Sequence, residues 1–247
     1  MKSIIAITSD FGDQLASAQL AAVLASYGFD GQLIENHSVS AFSILEGAFH
    51  IAIVSQFLPV KAVHLGVVDP GVGSYRRGII IKTATSWFVG PDNGLLYPAA
   101  LAQRIISTWK IDESAFGLVS RTFHGRDIFI KTAALLAGGK LPSEFGCQEI
   151  DASSLCKFEF QKGQVVHVDH YGNIKIYWPY PLFLGDTLHL VIGARTIDAP
   201  VVATFADVPA GKPLAYFGSS NTLELAVNLG RGDRFFGFKV GDQVKIA

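Results

Sequence analysis

The chain has 247 residues, 49% of them hydrophobic and 17% charged, a composition that allows a large core and argues against disorder. With 20 basic and 21 acidic residues the net charge is −1, so the sequence lacks the electrostatic signature of a nucleic-acid or anionic-membrane partner. The length predicts one large domain or two smaller ones.

The cysteines and the N-terminal segment point to a reducing compartment. Cys147 and Cys156 lie nine positions apart and belong to no CxxC or Cys/His cluster, which argues against a disulfide scaffold or a structural zinc site. The apolar part of MKSIIAITSDFGD is too short for a signal peptide, and no run approaches transmembrane length. We therefore expect a cytoplasmic location.

The first 140 residues alternate strand and helix patterns. SIIAITSD is continuously apolar, which predicts a buried parallel strand, and QLASAQLAAVLASYG predicts a helix that ends at Gly28. GQLIEN predicts a short strand, and SILEGAFHIAIVSQFLP a helix with a capping box from Ser43 to Glu46 and an end before Pro59. AVHLGVVD, GIIIKTA and SWFVG read as further strands, and IFIKTAALLAGG as the last strong helix. Repeated βα units predict an open, largely parallel sheet.

The pattern changes after about residue 160, where short β-rich runs are separated by Gly, Pro and Asp. The runs are QVVHVD, NIKIYW, TLHLVIG, PVVATF, PLAYFG and RFFGFKV. They predict no helix, and they favour a small all-β barrel or sandwich. We expect an α/β domain over residues 1–158 and a β-domain over residues 163–247.

Polar clusters follow two of the predicted strands, where ligands bind in open α/β sheets. Asp10 in SDFG follows the first strand, and capping of the next helix is its alternative role. Asp69 and Arg76 in VVDPGVGSYRR can fold back upon each other, with a purely structural ion pair as the alternative. The stretch is not a P-loop, because no Gly-Lys-Ser/Thr follows it.

The segment TFHGRDIF lies at the start of the last strong helix. Asp127 falls in the first helical turn, where the helix dipole favours a carboxylate, and Arg126 is expected to pair with it or with a neighbour. His124 lies just before the helix. Taken by itself, His124 is only weakly indicative of catalysis, because a structural hydrogen bond is the ordinary role of a histidine at this position.

Two further polar clusters lie in the predicted β-domain. VVHVDHYGNIKI places His167 and Asp169 on one face of a strand and His170 on the other, so that a metal site and a polar turn both stay open. YFGSSNTLELAVN ends a strand with two serines and places Glu224 in a short apolar segment, and a plain turn is the alternative there.

The order of these clusters is more specific than any one of them. SDFGD, HLGVVDPGVGSYRR, FVGPDNGLL, TFHGRDIF, DHYGNIKI and SSNTLELAV occur in the order typical of the S-adenosylmethionine hydroxide adenosyltransferase family. That family is related to the fluorinating and chlorinating enzymes that act on the same substrate. The resemblance runs from Asp10 to about Val227, and its DPGVG and TFHGRD blocks are highly specific.

The resemblance implies an N-terminal Rossmann-like domain, a C-terminal β-barrel and a homotrimer whose active sites lie between the N-domain of one subunit and the C-domain of a neighbour. It implies hydrolysis of S-adenosylmethionine at C5′ to adenosine and methionine, with no cofactor and no metal. The implied partner is the small-molecule substrate, with neither nucleic acid nor membrane.

The resemblance also assigns site residues. Asp69, Arg76 and His124 match the water-handling set of the hydrolytic branch. The sulfonium substrate releases a neutral thioether, so the reaction needs a positioned, partly deprotonated water rather than an acid. Substrate binding is implied for the remaining matched positions, Asp10, Asp169, Asn173, Ser219, Ser220 and Glu224.

Four departures from the family pattern concern substrate fit. The helix after the first motif reads QLASAQLAAVL where an aromatic residue and a Lys are usual, and the usual DITH is replaced by IENH. The usual GNxxTNI is replaced by GNIKIYW, and Asn221 stands where Gly is usual. Two other functions are compatible with the motifs: a halide-using synthase of 5′-halo-adenosine, and a non-catalytic protein that binds adenosine or S-adenosylmethionine. The water-handling set argues against the first, because halogenating relatives replace it.

Overall fold

A computed structural model describes residues 2–12, 14–193 and 195–246, which form two compact units, one ending at Phe158 and one beginning at Glu159. Asp13, the last residue of the SDFGD motif, lies outside the described residues. The first unit is an α/β structure on a single large sheet, and the second is built on smaller antiparallel sheets. The mixed α/β fold with a separate, smaller β unit is as predicted.

The first unit contains a seven-stranded sheet in the order β2-β1-β3-β5-β4-β6-β7. Its strands are β1 Ile4–Ser9, β2 Gln32–Asn36, β3 Val63–Val67, β4 Gly78–Thr83, β5 Trp87–Pro91, β6 Ile105–Lys110 and β7 Gln148–Ile150. β1, β2, β3 and β5 pair in parallel, whereas β4 pairs antiparallel with β5 and β6, and β6 antiparallel with β7.

The prediction of a largely parallel sheet is therefore correct for only half of it. β4 and β5 are joined by residues 84–86 alone, and a parallel crossover needs a dozen or more residues. The short connection forces a hairpin. β6 and β7 carry no clear apolar pattern, and the sequence did not predict either of them.

The helices of the first unit are α1 Gln14–Ser26, α2 Ile44–Phe57, α3 Tyr97–Ala102 and α4 Ile130–Ala137. The Ser43 hydroxyl caps α2 by accepting from the Glu46 amide, as the sequence predicted. The Glu46 carboxylate accepts from the Ser40 amide instead of completing the box at Ser43. None of the described helices is both long and apolar enough to span a bilayer.

Helices cover both faces of the large sheet. Ile5 and Ile7 of β1 pack in one apolar cluster with Leu20 of α1 and with α4. On the other face, a side chain at Gly66 of β3 would collide with Ile51 of α2. Burial on both sides explains why the central strands read as continuous apolar runs.

The second unit contains a three-stranded sheet, β11-β10-β14, and a four-stranded sheet, β12-β13-β9-β8. Its elements are β8 Val165–Val168, β9 Ile174–Ile176, β10 Thr187–Ile192, β11 Arg195–Pro200, β12 Pro213–Phe217, β13 Leu223–Val227, α5 Gly232–Phe236 and β14 Lys245–Ile246. The inward side chains of both sheets share one apolar core. The five-residue helix α5 was not predicted and replaces part of the expected RFFGFKV strand.

His64 makes the stability of the first unit depend on pH. Its ring lies within β3, 2% exposed and stacked on Phe88 at 4.7 Å, and Nε2 has no hydrogen-bond partner among the described residues. Burial lowers the pKa of His64 from 6.5 to about 4. The unfolded chain therefore takes up this proton first as the pH falls, and the native state loses about 3 kcal/mol between pH 6.5 and 4.

The replacement His64→Phe should remove this component, because phenylalanine keeps the stack and does not titrate. Urea unfolding of both proteins at several pH values between 4 and 7 measures the difference. His170→Phe, at an exposed histidine of the second unit, serves as the control and should unfold in parallel with the wild type. Equal pH dependence of His64→Phe and the wild type would contradict the expectation.

Candidate active site

The loop after β3 folds back on itself and brings Arg76 to Asp69. Its turns are closed by the Ser74 hydroxyl, which donates to the Gly71 carbonyl at 2.6 Å, and by the Val72 amide, which donates to the Asp69 carbonyl at 3.2 Å. Gly73 has φ +76° and lies so close to the Arg121 carbonyl that a Cβ would be 2.5 Å from that oxygen. The loop therefore needs glycine at this turn.

Arg76 and Asp69 form a buried ion pair, with side chains 9% and 7% exposed. Nε of Arg76 donates to both carboxylate oxygens at 2.9 Å, and Nη2 donates to Oδ2 at 2.5 Å. The prediction that these two residues fold back upon each other is confirmed.

His124 completes the cluster. Nη2 of Arg76 lies 2.8 Å from Nδ1 of His124. Because a guanidinium can only donate, Nδ1 is the acceptor, and the neutral ring carries its proton on Nε2. Burial, reinforced by the charge of Arg76, holds the pKa of His124 below its usual 6.5, so the ring is neutral at pH 7.

Two further contacts define the environment of the guanidinium. The Phe129 ring lies under it, with its centroid 5.0 Å from Cζ of Arg76. Nη1 is buried and has no hydrogen-bond partner among the described residues, and Oε1 of Glu113 lies 4.0 Å from it. A buried donor of this kind costs free energy unless a water or ligand satisfies it.

One π-helical turn, Gly125–Phe129, precedes α4 and sets the position of His124. Arg126 donates to both oxygens of Asp127, at 2.7 and 2.9 Å, and Asp127 also accepts from the Ser120 amide at 2.9 Å. The bonds from Arg126 lower the pKa of Asp127. As predicted, this pair braces the start of the helix, and π-helical turns are frequent at functional sites.

Asp10, Asp69 and His124 line one cavity of about 100 Å³, together with three phenylalanines, Phe11, Phe42 and Phe123. Oδ2 of Asp10 accepts from the Phe42 amide at 2.8 Å and so stabilises a left-handed residue with φ +64°. The two sequence clusters at the ends of β1 and β3 thus meet the His124 cluster at one cavity.

The predicted residues of the second unit gather at a separate cavity of about 820 Å³, lined by Asp169, Asn173, Ser219 and Glu224. The backbone N–H of Asn173 donates to Oδ1 of Asp169 at 2.9 Å, and the side-chain Nδ2 of Asn173 donates to Oδ2 at 2.9 Å. Asp169 therefore fixes the orientation of Asn173. Ser220 is not among the described residues that line this cavity.

Glu224 is the centre of a polar row across three neighbouring strands. It is 3% exposed and lies opposite Lys175 of β9 and Tyr216 of β12. Lys175 donates to Oε1 at 2.5 Å, and the Tyr216 hydroxyl donates to Oε2 at 2.6 Å. Burial and the Glu224 carboxylate raise the pKa of Tyr216, so that its hydroxyl keeps its proton. Both Glu224 oxygens are thus engaged within the protein.

The Asn221 departure has a conformational explanation. Asn221 closes the turn before β13 with φ +54°, in the left-handed region where glycine is the usual residue. Asparagine is enriched there because its short side chain tolerates that conformation. The turn is therefore kept without the glycine.

Sequence reasoning missed four residues that touch these clusters: Phe129, Glu113, Lys175 and Tyr216. Lys175 alone carried a signal, because it lies two residues after the motif residue Asn173 in the GNIKIYW segment. Period-two alternation places it on the same face of β9 as the cavity-lining Asn173. The other three are brought to the clusters only by strand pairing and helix packing.

Comparison with known proteins identifies the class. The SAM hydroxide adenosyltransferase N-terminal domain matches residues 5–146, and the C-terminal domain of the same family matches residues 163–245. The chain belongs to the SAM (S-adenosylmethionine) hydroxide adenosyltransferase family.

Individual relatives are named as hydrolases. An (R)-S-adenosyl-L-methionine hydrolase of Salinispora tropica is 34% identical, over 98% of this chain and 97% of the relative. An (R)-S-adenosyl-L-methionine hydrolase of Thermus thermophilus is 32% identical, over 96% of this chain and 97% of the relative. A fluorinase of Actinoplanes is more distant, 24% identical over 91% of each chain. The crystal structure of an uncharacterized conserved protein from Thermotoga maritima has a TM-score of 0.90 and 29% identity, covering 99% of this chain and all of that one.

Replacement of Gly73 by alanine should destabilise the loop that joins Asp69 to Arg76. A Cβ at this position meets the Arg121 carbonyl oxygen and also disfavours the positive φ. Gly139→Ala is the matched control, since Gly139 has φ +87° but nothing within 4 Å of its Cβ position. The control should lose about 1–2 kcal/mol for the left-handed conformation.

Gly73→Ala should lose roughly 1–3 kcal/mol more than the control, because the backbone must move to relieve the clash. Urea unfolding of both variants beside the wild type provides the measurement. Equal losses for the two would mean that the close contact at Arg121 does not constrain the loop.

Proposed function

We propose that this protein hydrolyses S-adenosyl-L-methionine to adenosine and L-methionine by attack of water at C5′. The observation that carries the proposal is that Arg76 contacts both Asp69 and His124, which line one cavity together with Asp10. An ion pair between Asp69 and Arg76 would suit a structural role equally well. The contact of this ion pair with a neutral histidine beside a cavity favours a catalytic role.

The chemistry assigns a different task to each residue. The water oxygen forms a bond to C5′ while the C5′–S bond breaks, and the electron pair of that bond moves to sulfur as neutral methionine leaves. The water proton passes to the Asp69 carboxylate, an acceptor at the cavity wall. His124, with Nδ1 accepting from Arg76, offers Nε2–H to orient the water, and the Arg76 charge favours hydroxide character.

We assign the nucleoside to Asp10 and Asn173, with Ser219 and Ser220 as further substrate-binding residues. Asn173 commits its amide nitrogen to Asp169 and so offers its carbonyl oxygen to a ligand. Asp169 and Glu224 act through neighbours, because Asp169 holds Asn173 while Glu224 holds Lys175 and Tyr216. The supporting observation is that all of these except Asp10 and Ser220 line the cavity of the second unit.

Halide transfer is less well supported than hydrolysis. Relatives named as hydrolases are 32–34% identical to this chain, whereas those named fluorinases are 23–24% identical. The hydrolases are named for the (R) form of the substrate, and we propose the same preference here. A non-catalytic binding protein is the remaining alternative, and kinetics distinguishes it.

We further infer a Rossmann-like N-terminal domain over residues 1–158, a C-terminal β-barrel over residues 163–247 and a homotrimer. No cofactor and no metal is proposed, and the partner is the substrate alone. We also infer a cytoplasmic location, for which the free thiols of Cys147 and Cys156 are the supporting observation.

The water-handling set and the nucleoside-binding residues should give opposite kinetic effects. Asp69→Ala and His124→Ala should lower kcat by about 10²–10⁴-fold with little change in adenosine affinity, because their interactions are made mainly in the transition state. Asp10→Ala should weaken adenosine binding by roughly 1–3 kcal/mol, if a buried ribose hydroxyl loses its acceptor. Single-turnover hydrolysis of both sulfonium epimers, with calorimetric adenosine binding, provides the measurement.

Asp30→Ala is the matched control, since Asp30 is exposed and lies away from these clusters. The assay is run with and without chloride and after exhaustive chelation, and neither condition should change turnover. If the wild type binds adenosine but shows no turnover that Asp69→Ala abolishes, the protein is a binding protein. Activity that is lost with EDTA and restored by a divalent ion would contradict metal independence.

A site shared between subunits predicts complementation. Asp69→Ala and Asn173→Ala proteins are each expected to be impaired, the first in kcat and the second in substrate binding. Mixed oligomers of the two should recover part of the activity, because a fraction of sites then receives both intact residues. Activity after denaturation and joint refolding measures this, with each variant refolded alone as the control. No recovery despite demonstrated subunit exchange would count against a shared site.

A further inference from the structure

Antiparallel pairing of β4 with β6 brings a second carboxylate to Arg76. Ile79 pairs with Lys110, and the Ile111 amide donates to the Gly78 carbonyl at 2.9 Å. The chain just before β4 therefore lies beside the chain just after β6. Arg76 belongs to the first of these segments and Glu113 to the second.

A short turn fixes Glu113 at this place. The Asp112 carboxylate accepts from the Ser114 amide at 3.0 Å and from its hydroxyl at 2.7 Å, which caps the 3₁₀ turn Glu113–Phe116. From there Oε1 of Glu113 lies 4.0 Å from Nη1 of Arg76 and 3.8 Å from Nδ1 of His124. Its side chain is 41% exposed, in an open cleft of about 520 Å³ that Arg76 also lines.

We propose that Glu113 is a positioning residue for the Arg76–His124 pair, whose carboxylate supports the guanidinium at Nη1 and supplies negative charge beside the imidazole. The inference rests on the guanidinium, because Asp69 and His124 bind Nε and Nη2, and the buried Nη1 has no hydrogen-bond partner in the described part of the chain. A small movement of the exposed Glu113 side chain closes the 4.0 Å gap to a hydrogen bond.

The charges around His124 give the direction of the effect. Burial and the Arg76 charge lower the pKa of His124, whereas Glu113, Asp69 and Asp127 raise it. Asp69 and Asp127 are themselves bonded to arginines. Glu113 is thus the carboxylate of this group that can change without breaking a bidentate ion pair.

The role in catalysis rests on the proposed hydrolase function, but the effect on His124 can be measured without turnover. The imidazole resonances of His124 are assigned by comparison with His124→Asn, and their titration is followed by NMR. In Glu113→Gln the titration midpoint should fall by roughly half a unit to one unit, since a charge about 4 Å away is lost at the protein surface. Glu113→Asp keeps the charge and should restore most of the shift.

Turnover is measured on the same proteins. The acid limb of the kcat/KM profile of Glu113→Gln should move to lower pH, and kcat at the plateau should fall by up to about fivefold with KM unchanged. Glu149→Gln, at an exposed carboxylate of β7, is the matched control and should leave both profiles unchanged.

The outcomes separate the two proposals. If His124 titrates at the same pH in Glu113→Gln and the wild type, Glu113 has no such role, whatever the activity. If Glu113→Gln shifts the His124 titration but not the pH profile of kcat/KM, Glu113 affects His124 only in the free protein. Its positioning role in the reaction is then overturned. If the wild type shows no turnover but Glu113→Gln still shifts the His124 titration, the hydrolase function and the role of Glu113 in catalysis are both overturned. The interaction of Glu113 with His124 is then still supported.

Discussion

Arg76 is a permanent cation with only 9% of its side chain exposed, and the architecture around the cavity of the first unit follows from that one burial. Removing an isolated charge from water costs several kcal/mol, so the guanidinium must be met by a carboxylate and by further acceptors. Asp69 accepts hydrogen bonds from two of its nitrogens, and the Phe129 ring makes a cation–π contact with its face. Asp69 and Arg76 can form this ion pair only if the loop between them reverses direction, and the turn at Gly73 provides that reversal.

The same charge sets the chemical state of His124. A guanidinium cannot accept a hydrogen bond, so its contact with Nδ1 selects the tautomer with the proton on Nε2. Burial, together with the positive charge of Arg76, lowers the pKa of His124 and keeps the ring neutral at pH 7. The imidazole then presents a donor rather than a base. Within the proposed reaction, proton acceptance falls to a carboxylate, which suits a substrate whose leaving group needs no acid.

The second unit uses a different device to arrange polar groups. In its four-stranded sheet, Lys175, Glu224 and Tyr216 occupy directly opposed positions on three strands, so that one buried carboxylate binds a neighbour on each side. A buried Glu224 without these partners would carry an uncompensated charge. The lysine of this row lies two residues after Asn173, so one short stretch supplies both a cavity-lining amide and the cation that pairs with Glu224.

The sequence by itself determined the strands and helices with strong apolar patterns and the residue types of the polar clusters. β1, β3 and α2 were predicted because two-sided burial and a capping serine leave local signals. The order of the six motif blocks along the chain, from SDFGD to SSNTLELAV, was enough to indicate the family. Only the tertiary structure decided the antiparallel half of the large sheet, the tautomer of His124 and the approach of Glu113 to Arg76. The approach of Glu113 depends on the pairing of β4 with β6, and the tautomer of His124 depends on its contact with Arg76, 48 residues earlier in the chain. Contacts between such distant segments are set by how the sheet and helices pack together, which no local pattern encodes.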